Sequence, residues 1–333
     1  MITLAIDTAS SHTSIALFED GNIRQELTWK SENNEAEKLM PAIEQMLNQN
    51  NLSRRKFIGI VFLAFCLLGV LVAMMGLISL LIQVILQGYE WVTPNLIFNY
   101  PSRHPEQAGL WAALIGTLYM MGLTALITVP IGIGAAIYLE EYAPKNWITS
   151  FIEINTSNLA GIPSIVYGLL GLSIFVYFLK LERSILAGSL TMSLLILPVL
   201  ILASREAIKA VPSAHREAAF ALGGDKWQVV KMAVLPTAFP GILTGVILAL
   251  SRAIGEAAPM VAITALVYIT FIPVTPMDRF TVMPIQIFNW VSRPQDDFRG
   301  LAAGGIIILL ILLLSMNSIA VILRNKFQKR SEE

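Results

Sequence analysis

Charge is scarce in this chain. Of its 333 residues only 14% are Asp, Glu, Lys or Arg, where soluble domains carry about 25%. The 23 cationic and 23 anionic side chains cancel, and no basic stripe is present, so nothing supports nucleic-acid binding. A single cysteine, Cys66, lies in an apolar run. That leaves no disulfide within one chain and no cysteine metal site. The three histidines, His12, His104 and His215, stand far apart without ligand spacing, so no metal is expected. A Gly-x-x-x-x-Gly-Lys-Ser/Thr loop is also missing; Gly223-Gly224-Asp225-Lys226 lacks its frame. No cofactor is expected, and any work driven by ATP must draw on another chain.

What the chain has instead is apolar length. It is 55% hydrophobic, with a mean hydropathy of +0.67. About 20 apolar residues in helix cross the hydrocarbon core of a bilayer. Runs of that kind predict six transmembrane helices near 57–86, 111–138, 159–179, 184–203, 237–272 and 301–323. The first is too far from the N-terminus to be a cleaved signal peptide and reads as a signal anchor. Residues 140–158 read as a short polar connection, and 180–183 as a connector that forces an antiparallel helix pair. Gly241-x-x-x-Gly245 and Gly300-x-x-x-Gly304 offer small-residue faces for close helix contact, with Gly168-x-x-Gly171 and Gly132-x-Gly134 as weaker versions. Trp91, Trp111 and Trp290 read as interface markers rather than ligand contacts.

Residues 1–52 differ in composition from the rest of the chain. Ile2, Leu4 and Ile6 alternate with other residues, as do Ile15 and Leu17, then Ile23, Leu27 and Trp29 less strictly. Asp20-Gly21 is a strong hairpin signal between the second and third runs. Ala36, Leu39, Met40, Ile43, Met46 and Leu47 recur at helical spacing. The expectation is a small β-β-β-α fragment, too small to be very stable alone.

Lysine and arginine counts set the orientation. With the segment before the first span inside, thirteen of these residues beyond position 52 lie in the cytoplasm and six outside. Both termini are then cytoplasmic, and so is the 204–236 loop. Within that loop, 207–209 reads as helix halted by Val211-Pro212. A turn over 216–222 is ended by Gly223-Gly224, and 227–234 leads into Leu235-Pro236. Ala218 and Ala219 are small enough for a partner backbone to approach, and Arg216 and Glu217 offer charged hydrogen bonds. The plain alternative is a solvated loop between helices.

Inside the fifth run lie Arg252 and Glu256, four residues apart and so on one helix face. Arg252 is fifteen residues from Thr237, about 22 Å of helix at 1.5 Å per residue. A charge at that depth costs at least about 2.5–3.5 kcal/mol and usually faces a partner or an aqueous path. Either the two side chains merely neutralise each other, or they brace a partner, or Arg252 meets an anion while Glu256 holds its orientation. Gly255 and Pro259 favour the second reading, since broken helices commonly line transport paths.

Arg216-Glu217-Ala218-Ala219 with Gly223 and Leu235-Pro236 resembles the Glu-Ala-Ala…Gly…Leu-Pro signature of permease subunits of bacterial ABC importers; Ala233 stands where that family usually has isoleucine. Leu-Pro-Thr-Ala-Phe-Pro-Gly-Ile-Leu-Thr-Gly and Ser-Arg-Ala-Ile-Gly-Glu-Ala-Ala-Pro are similar to the PstA-type permeases of phosphate importers. The resemblance runs over about 54–329. It implies an all-α polytopic membrane protein of the ABC importer permease (MetI-like) type in the bacterial plasma (inner) membrane, in contact with lipid. In that family the loop docks into a separate ATPase, which points to Arg216, Glu217, Ala218, Ala219, Gly223, Leu235 and Pro236. The implied partners are a second, homologous permease (PstC type), an ATPase dimer (PstB type) and an extracytoplasmic phosphate-binding protein (PstS type). The implied substrate is phosphate, with Arg252 and Glu256 as its pathway residues; sulfate or molybdate is the alternative oxyanion.

Residues 1–52 resemble the opening of the TsaB subunit of the tRNA threonylcarbamoyladenosine machinery, through Leu-Ala-Ile-Asp-Thr-Ala-Ser and Glu-Lys-Leu-Met-Pro-Ala-Ile-Glu-Gln-Met-Leu. In that actin-like fold Asp7 and Thr8 would lie near a nucleotide. The likeness covers about the first quarter of such a domain, and Glu35 stands where that family tends to have histidine. The segment is therefore read as an inert remnant or fusion junction rather than a membrane-tethered tRNA-modification component.

Overall fold

The computed structural model describes residues 2–7, 12–19, 22–30, 38–39, 41–43, 45–46, 54–264 and 269–332. Contacts divide the chain into two units, 1–80 and 81–333.

In the first unit β1 (Ile2–Asp7), β2 (His12–Glu19) and β3 (Asn22–Lys30) form an antiparallel meander in the order β1-β2-β3. Glu19 pairs with Asn22, as the Asp20-Gly21 signal predicts; those two residues lie outside the described ones. Ile15 and Met46 are fully buried, with Leu27, Trp29, Leu39, Ala42 and Ile43 packed on them. Ile23 does not join that face. The register shifts between Leu17 and Phe18, where Leu17 faces Gln25 and Phe18 faces Ile23. One extra residue flips the alternation, and Ile23 is left exposed. Asp7 ends β1, and Thr8 lies outside the described residues.

Beyond the sheet the chain is helical. Among the described residues five helices are long and apolar enough to cross a membrane, and six spans result if one bent pair counts as a span. They begin with α1 (Arg54–Gly88), followed by the short α2 (Pro94–Phe98) and by α3 (Trp111–Ile137). Helix α3 runs on into a π turn at Tyr138–Tyr142. The bent pair is α4 (Trp147–Ala160) and α5 (Ser164–Gly171), the latter extended by a π run at Leu172–Phe178. The chain bends by 102° between the two arms of the pair. Next come α6 (Ile185–Lys209), α7 (Ser213–Ala221) and α8 (Lys226–Val229). A π turn at Val230–Val234 joins α8 to α9 (Leu235–Gly255), and α10 (Ala258–Thr264), α11 (Met283–Val291) and α12 (Asp297–Glu332) complete the chain.

Two sequence readings need correction here. The stretch read as a polar connection at 140–158 is largely helix, because Asn146 caps α4 by accepting the Thr149 amide at 3.0 Å. Its apolar Trp147, Phe151 and Ile154 are exposed, so it holds together without a buried stripe of its own. Trp290 is the second case: it is fully buried with Leu110, Met283 and Phe298, a core side chain and not an interface marker. Trp91 packs against Gly300, where an added Cβ would lie 2.3 Å from its indole nitrogen.

Helix α6 lies at the centre, packed against α3, α5, α9 and α10. Its buried positions include Ala187, Gly188, Ser189, Thr191 and Ser193, small side chains that let neighbouring backbones close in. The glycine pairs work the same way. A Cβ at Gly241 would meet Ala207 at 2.8 Å, and one at Gly245 would meet Ala203 at 2.7 Å. At the end of the bundle where α6 starts, Ile185 N–H donates to Asp278 O at 3.0 Å. The Asp278 carboxylate accepts from the Val274 and Thr275 amides and the Thr275 hydroxyl. These donors hold it below the usual carboxylate range.

Gly168 on α5 shows how tight the packing is. A Cβ there would lie 2.7 Å from Pro259 Cα and 2.8 Å from its carbonyl oxygen. Backbone cannot swing aside as a side chain can, and overpacking costs about 1–3 kcal/mol. Gly168→Ala should therefore lower the thermal unfolding midpoint of the detergent-purified chain. Gly134→Ala, where nothing lies within 4 Å of the new Cβ, should not lower it; equal midpoints would show that α5 and α10 give way freely.

Candidate functional site

The 204–236 loop folds as two short helices set across the end of α6. After Lys209 the chain turns through Ala210 and buried Val211, and Pro212 precedes α7. Helix α7 stops at a Schellman arrangement: Gly224 N–H donates to Ala219 O at 3.2 Å and Gly223 N–H to Phe220 O at 2.9 Å. Gly223 takes φ +84, a backbone state costly for residues with a Cβ. Asp225 then starts α8 with a capping box, its carboxylate accepting Gln228 N–H at 2.7 Å while Asp225 N–H donates to the Gln228 amide oxygen at 2.9 Å. Asp-x-x-Gln was a readable signal for that start.

Pro236 stands one residue inside α9, after the π turn at Val230–Val234. Proline has no N–H for the preceding turn, and the Thr237 hydroxyl donates to the Ala233 carbonyl at 2.8 Å. Leu235 is partly buried and Pro236 exposed.

Between α7 and the α8 segment lies a mainly apolar groove of about 500 Å³, lined by His215, Ala218, Leu222, Gly223, Met232 and Ala233 among others. Leu222 is 90% exposed and Met232 72%, so large apolar side chains stand uncovered around it. Glu217 is exposed and pairs with no described residue. Arg216 is placed differently from its neighbours. Its Nε and Nη2 donate to Glu141 Oε1 at 3.0 and 2.8 Å, Nη1 to Val211 O at 2.6 Å, and Nη2 also to Ile208 O at 2.9 Å. The guanidinium thereby closes the carbonyl end of α6 and ties α7 to the π turn after α3.

Arg252 lies in the last turn of α9, and Glu256 follows as the extended residue (φ -80, ψ 108) between α9 and α10. Arg252 Nε donates to Glu256 Oε1 at 3.3 Å, with side-chain exposures of 43% and 21%. The helix break expected near Gly255 and Pro259 thus falls at Glu256-Ala257. The structure brings Arg252 and Glu256 together and sets Ala218, Ala219 and Gly223 along one groove.

Reading by motif passed over four charged residues: Glu140, Glu141, Glu153 and Arg205. Arg205 donates to Glu140 at 2.9 Å and to Glu153 at 2.7 Å. The available signal was the placement of Glu140-Glu141 and Arg205 at the C-terminal ends of two spans that run the same way across the membrane.

A bundle of apolar spans, one bent and one broken, with two short helices set across one end, is the architecture of an ABC transporter permease. The chain belongs to the family of binding-protein-dependent transport system inner membrane components, whose profile matches residues 128–329. The phosphate transport system permease protein PstA 1 of Mycobacterium tuberculosis strain H37Rv is 33% identical over 281 residues, 81% of this chain and 89% of that one. PstA of Haemophilus influenzae is 31% identical over 79% of this chain and 92% of its own. The probable ABC transporter permease protein YqgI of Bacillus subtilis is 32% identical over 72% and 86%. Among solved structures, the MetNI methionine ABC transporter matches with a TM-score of 0.54 at 15% identity, over 66% of this chain and 97% of that one. That likeness shows the fold.

The αL residue after α7 yields a local test. Gly223→Ala adds a Cβ that meets nothing within 4 Å, so its cost is backbone strain alone, about 1–2 kcal/mol. Hydrogen exchange of the Gly224 amide, bonded to Ala219 O, should then quicken about tenfold, since 1.4 kcal/mol is one decade. An unchanged rate would mean that the turn tolerates alanine.

Proposed function

We propose that this chain is one permease subunit of an ATP-driven importer of inorganic phosphate. The observation that carries the reading is the extended similarity to PstA permeases, about a third of residues identical over four fifths of the chain. The subunit has no ATP site of its own and works beside a second, homologous permease (PstC type), a pair of ATPase subunits (PstB type) and an extracytoplasmic phosphate-binding protein (PstS type). The charge asymmetry supports an orientation with both termini and the 204–236 loop in the cytoplasm. Residues 1–52 are an inert appendage; none of the relatives named above supports a tRNA-modification role for them.

The uncovered groove along α7, with Glu217 at its helix unpaired among the described residues, is the docking surface for the ATPase. Closure of the ATPases pushes this surface and switches the two permeases between inward- and outward-open forms. Phosphate passes at their shared interface. Arg252 supports this path physically: a guanidinium has five N–H donors, and this one makes a single hydrogen bond among the described residues, to Glu256. Its remaining donors suit an oxyanion, and Glu256 holds the side chain in place.

Four variants test the path in the assembled complex. Arg252→Gln should abolish phosphate uptake while the complex persists. Arg252→Lys should be partial at best, because lysine loses the planar fork that grips oxyanions. Glu256→Gln should be milder, since an amide still accepts one bond from the guanidinium. Competition by sulfate and molybdate in the wild type reads the selectivity. Uptake restored in Arg252→Gln/Glu256→Gln would refute substrate contact and leave the pair as a brace.

A further inference from the structure

Two adjacent carboxylates end the second span, and they are bound in different directions. Neighbouring side chains on a helix point about 100° apart, so Glu140 and Glu141 on the π turn Tyr138–Tyr142 reach different elements. Glu141 receives Arg216 of α7. Tyr142 adds a second contact to the same loop, with the Lys226 ammonium 5.0 Å from its ring centroid. Glu140 receives Arg205 of α6, and the same guanidinium reaches Glu153 of α4 at 2.7 Å. A continuous line of contacts therefore runs from α7, through the π turn, to α6 and the first arm of the bent pair.

The links are suited to transmitting displacement. Side-chain exposures are 22% and 11% for Arg216 and Glu141, and 20% and 21% for Arg205 and Glu140, so these pairs are much less screened than surface ones. Both cations are arginines, whose planar forks fix direction as well as distance. Arg216 is further locked by the carbonyls of Ile208 and Val211. Among the described residues, no ion pair besides these leaves the 204–236 loop. The turn at the hub is π, a form found frequently at functional sites.

We infer that Glu140 and Glu141, with Arg205 and Glu153, are positioning residues that carry the movement of the docking helix α7 to the bent pair α4–α5. The inference rests on the proposed docking of an ATPase at α7. It assigns these residues a role in coupling and none in holding either the ATPase or the anion.

The test uses the complete complex in vesicles, and reads complex abundance, ATP hydrolysis and phosphate uptake together. Glu141→Gln and Glu153→Gln remove the charge from the first and last links and with it the charge-assisted bond. Each should keep assembly and ATP hydrolysis yet lower uptake per ATP hydrolysed by about tenfold, within ordinary site-to-site coupling. Glu141→Asp, which keeps the charge, should recover part of the ratio. An unchanged ratio in both variants overturns the inference, whether or not complex abundance falls with them. If Glu141→Gln fails to assemble, Glu153→Gln decides alone, since it lies at the far end from the docking helix. Absence of ATP-driven phosphate uptake in the wild-type complex would overturn the proposed function itself, and is told apart by that control.

Discussion

In the hydrocarbon of a bilayer a polar group can bond only to protein, and the packing of this chain follows from that constraint. Hydroxyls on the spans turn back to the carbonyl four residues earlier. Thr117, Thr124, Thr191, Ser193 and Thr264 do so at 2.7 to 2.8 Å. Such groups serve twice where helices meet. Ser189 donates to the Met120 carbonyl at 3.2 Å, and Thr124 reaches Ser189 O at 3.4 Å, which joins α3 to α6. The Thr117 oxygen accepts Met283 N–H at 2.9 Å, satisfying an amide at the start of α11 that has no partner within its helix. Ser251 and Asn317 are hydrogen-bonded between α9 and α12. Contacts this short need backbones close together, which is why α6 carries small residues and why glycines line its neighbours.

Much of this was legible in the sequence because length and hydropathy report a bilayer directly. The apolar runs at 57–86, 111–138 and 301–323 correspond to α1, α3 and α12, and the alternation and Asp20-Gly21 signal to the small sheet. Legibility failed where a local bond overrode composition. Polar Asn146 read as part of a connection, yet as a cap it starts α4. Ile23 fits its strand pattern, yet one bulge turns it outward. Trp290 looked interfacial by type, and only tertiary packing of α11, α12 and the segment at Leu110 buries it. The π turns left no such mark in hydropathy, since inserting one residue into a helix does not alter the apolar count.

The loop was legible as a motif, although the motif does not separate its residues by what they touch. Ala218 and Gly223 border the groove, Glu217 is uncovered, and Arg216 is turned inward onto Glu141 and the end of α6. Residues of one signature thus act in different ways. The partners of Arg216 lie 75 residues away, at Glu141, or just upstream, at Ile208 and Val211. No spacing rule within the motif points to them.

Two arginines in this chain show how the same side chain reads differently by what surrounds it. Arg216 forms bonds from all three of its nitrogens to a carboxylate and two carbonyls, so its directions are set before any partner arrives. Among the described residues Arg252 makes one hydrogen bond, at 3.3 Å, with 43% of its side chain exposed. Lipid on that open side would leave the unbonded N–H groups unsatisfied, at a cost a spanning helix rarely carries. The exposed face of Arg252 is thus suited to a polar contact, and the break at Glu256-Ala257 keeps the spot from closing into regular helix. A guanidinium satisfied within its own chain serves the frame, while one with a single bond among the described residues, beside a helix break, is open to a further polar contact.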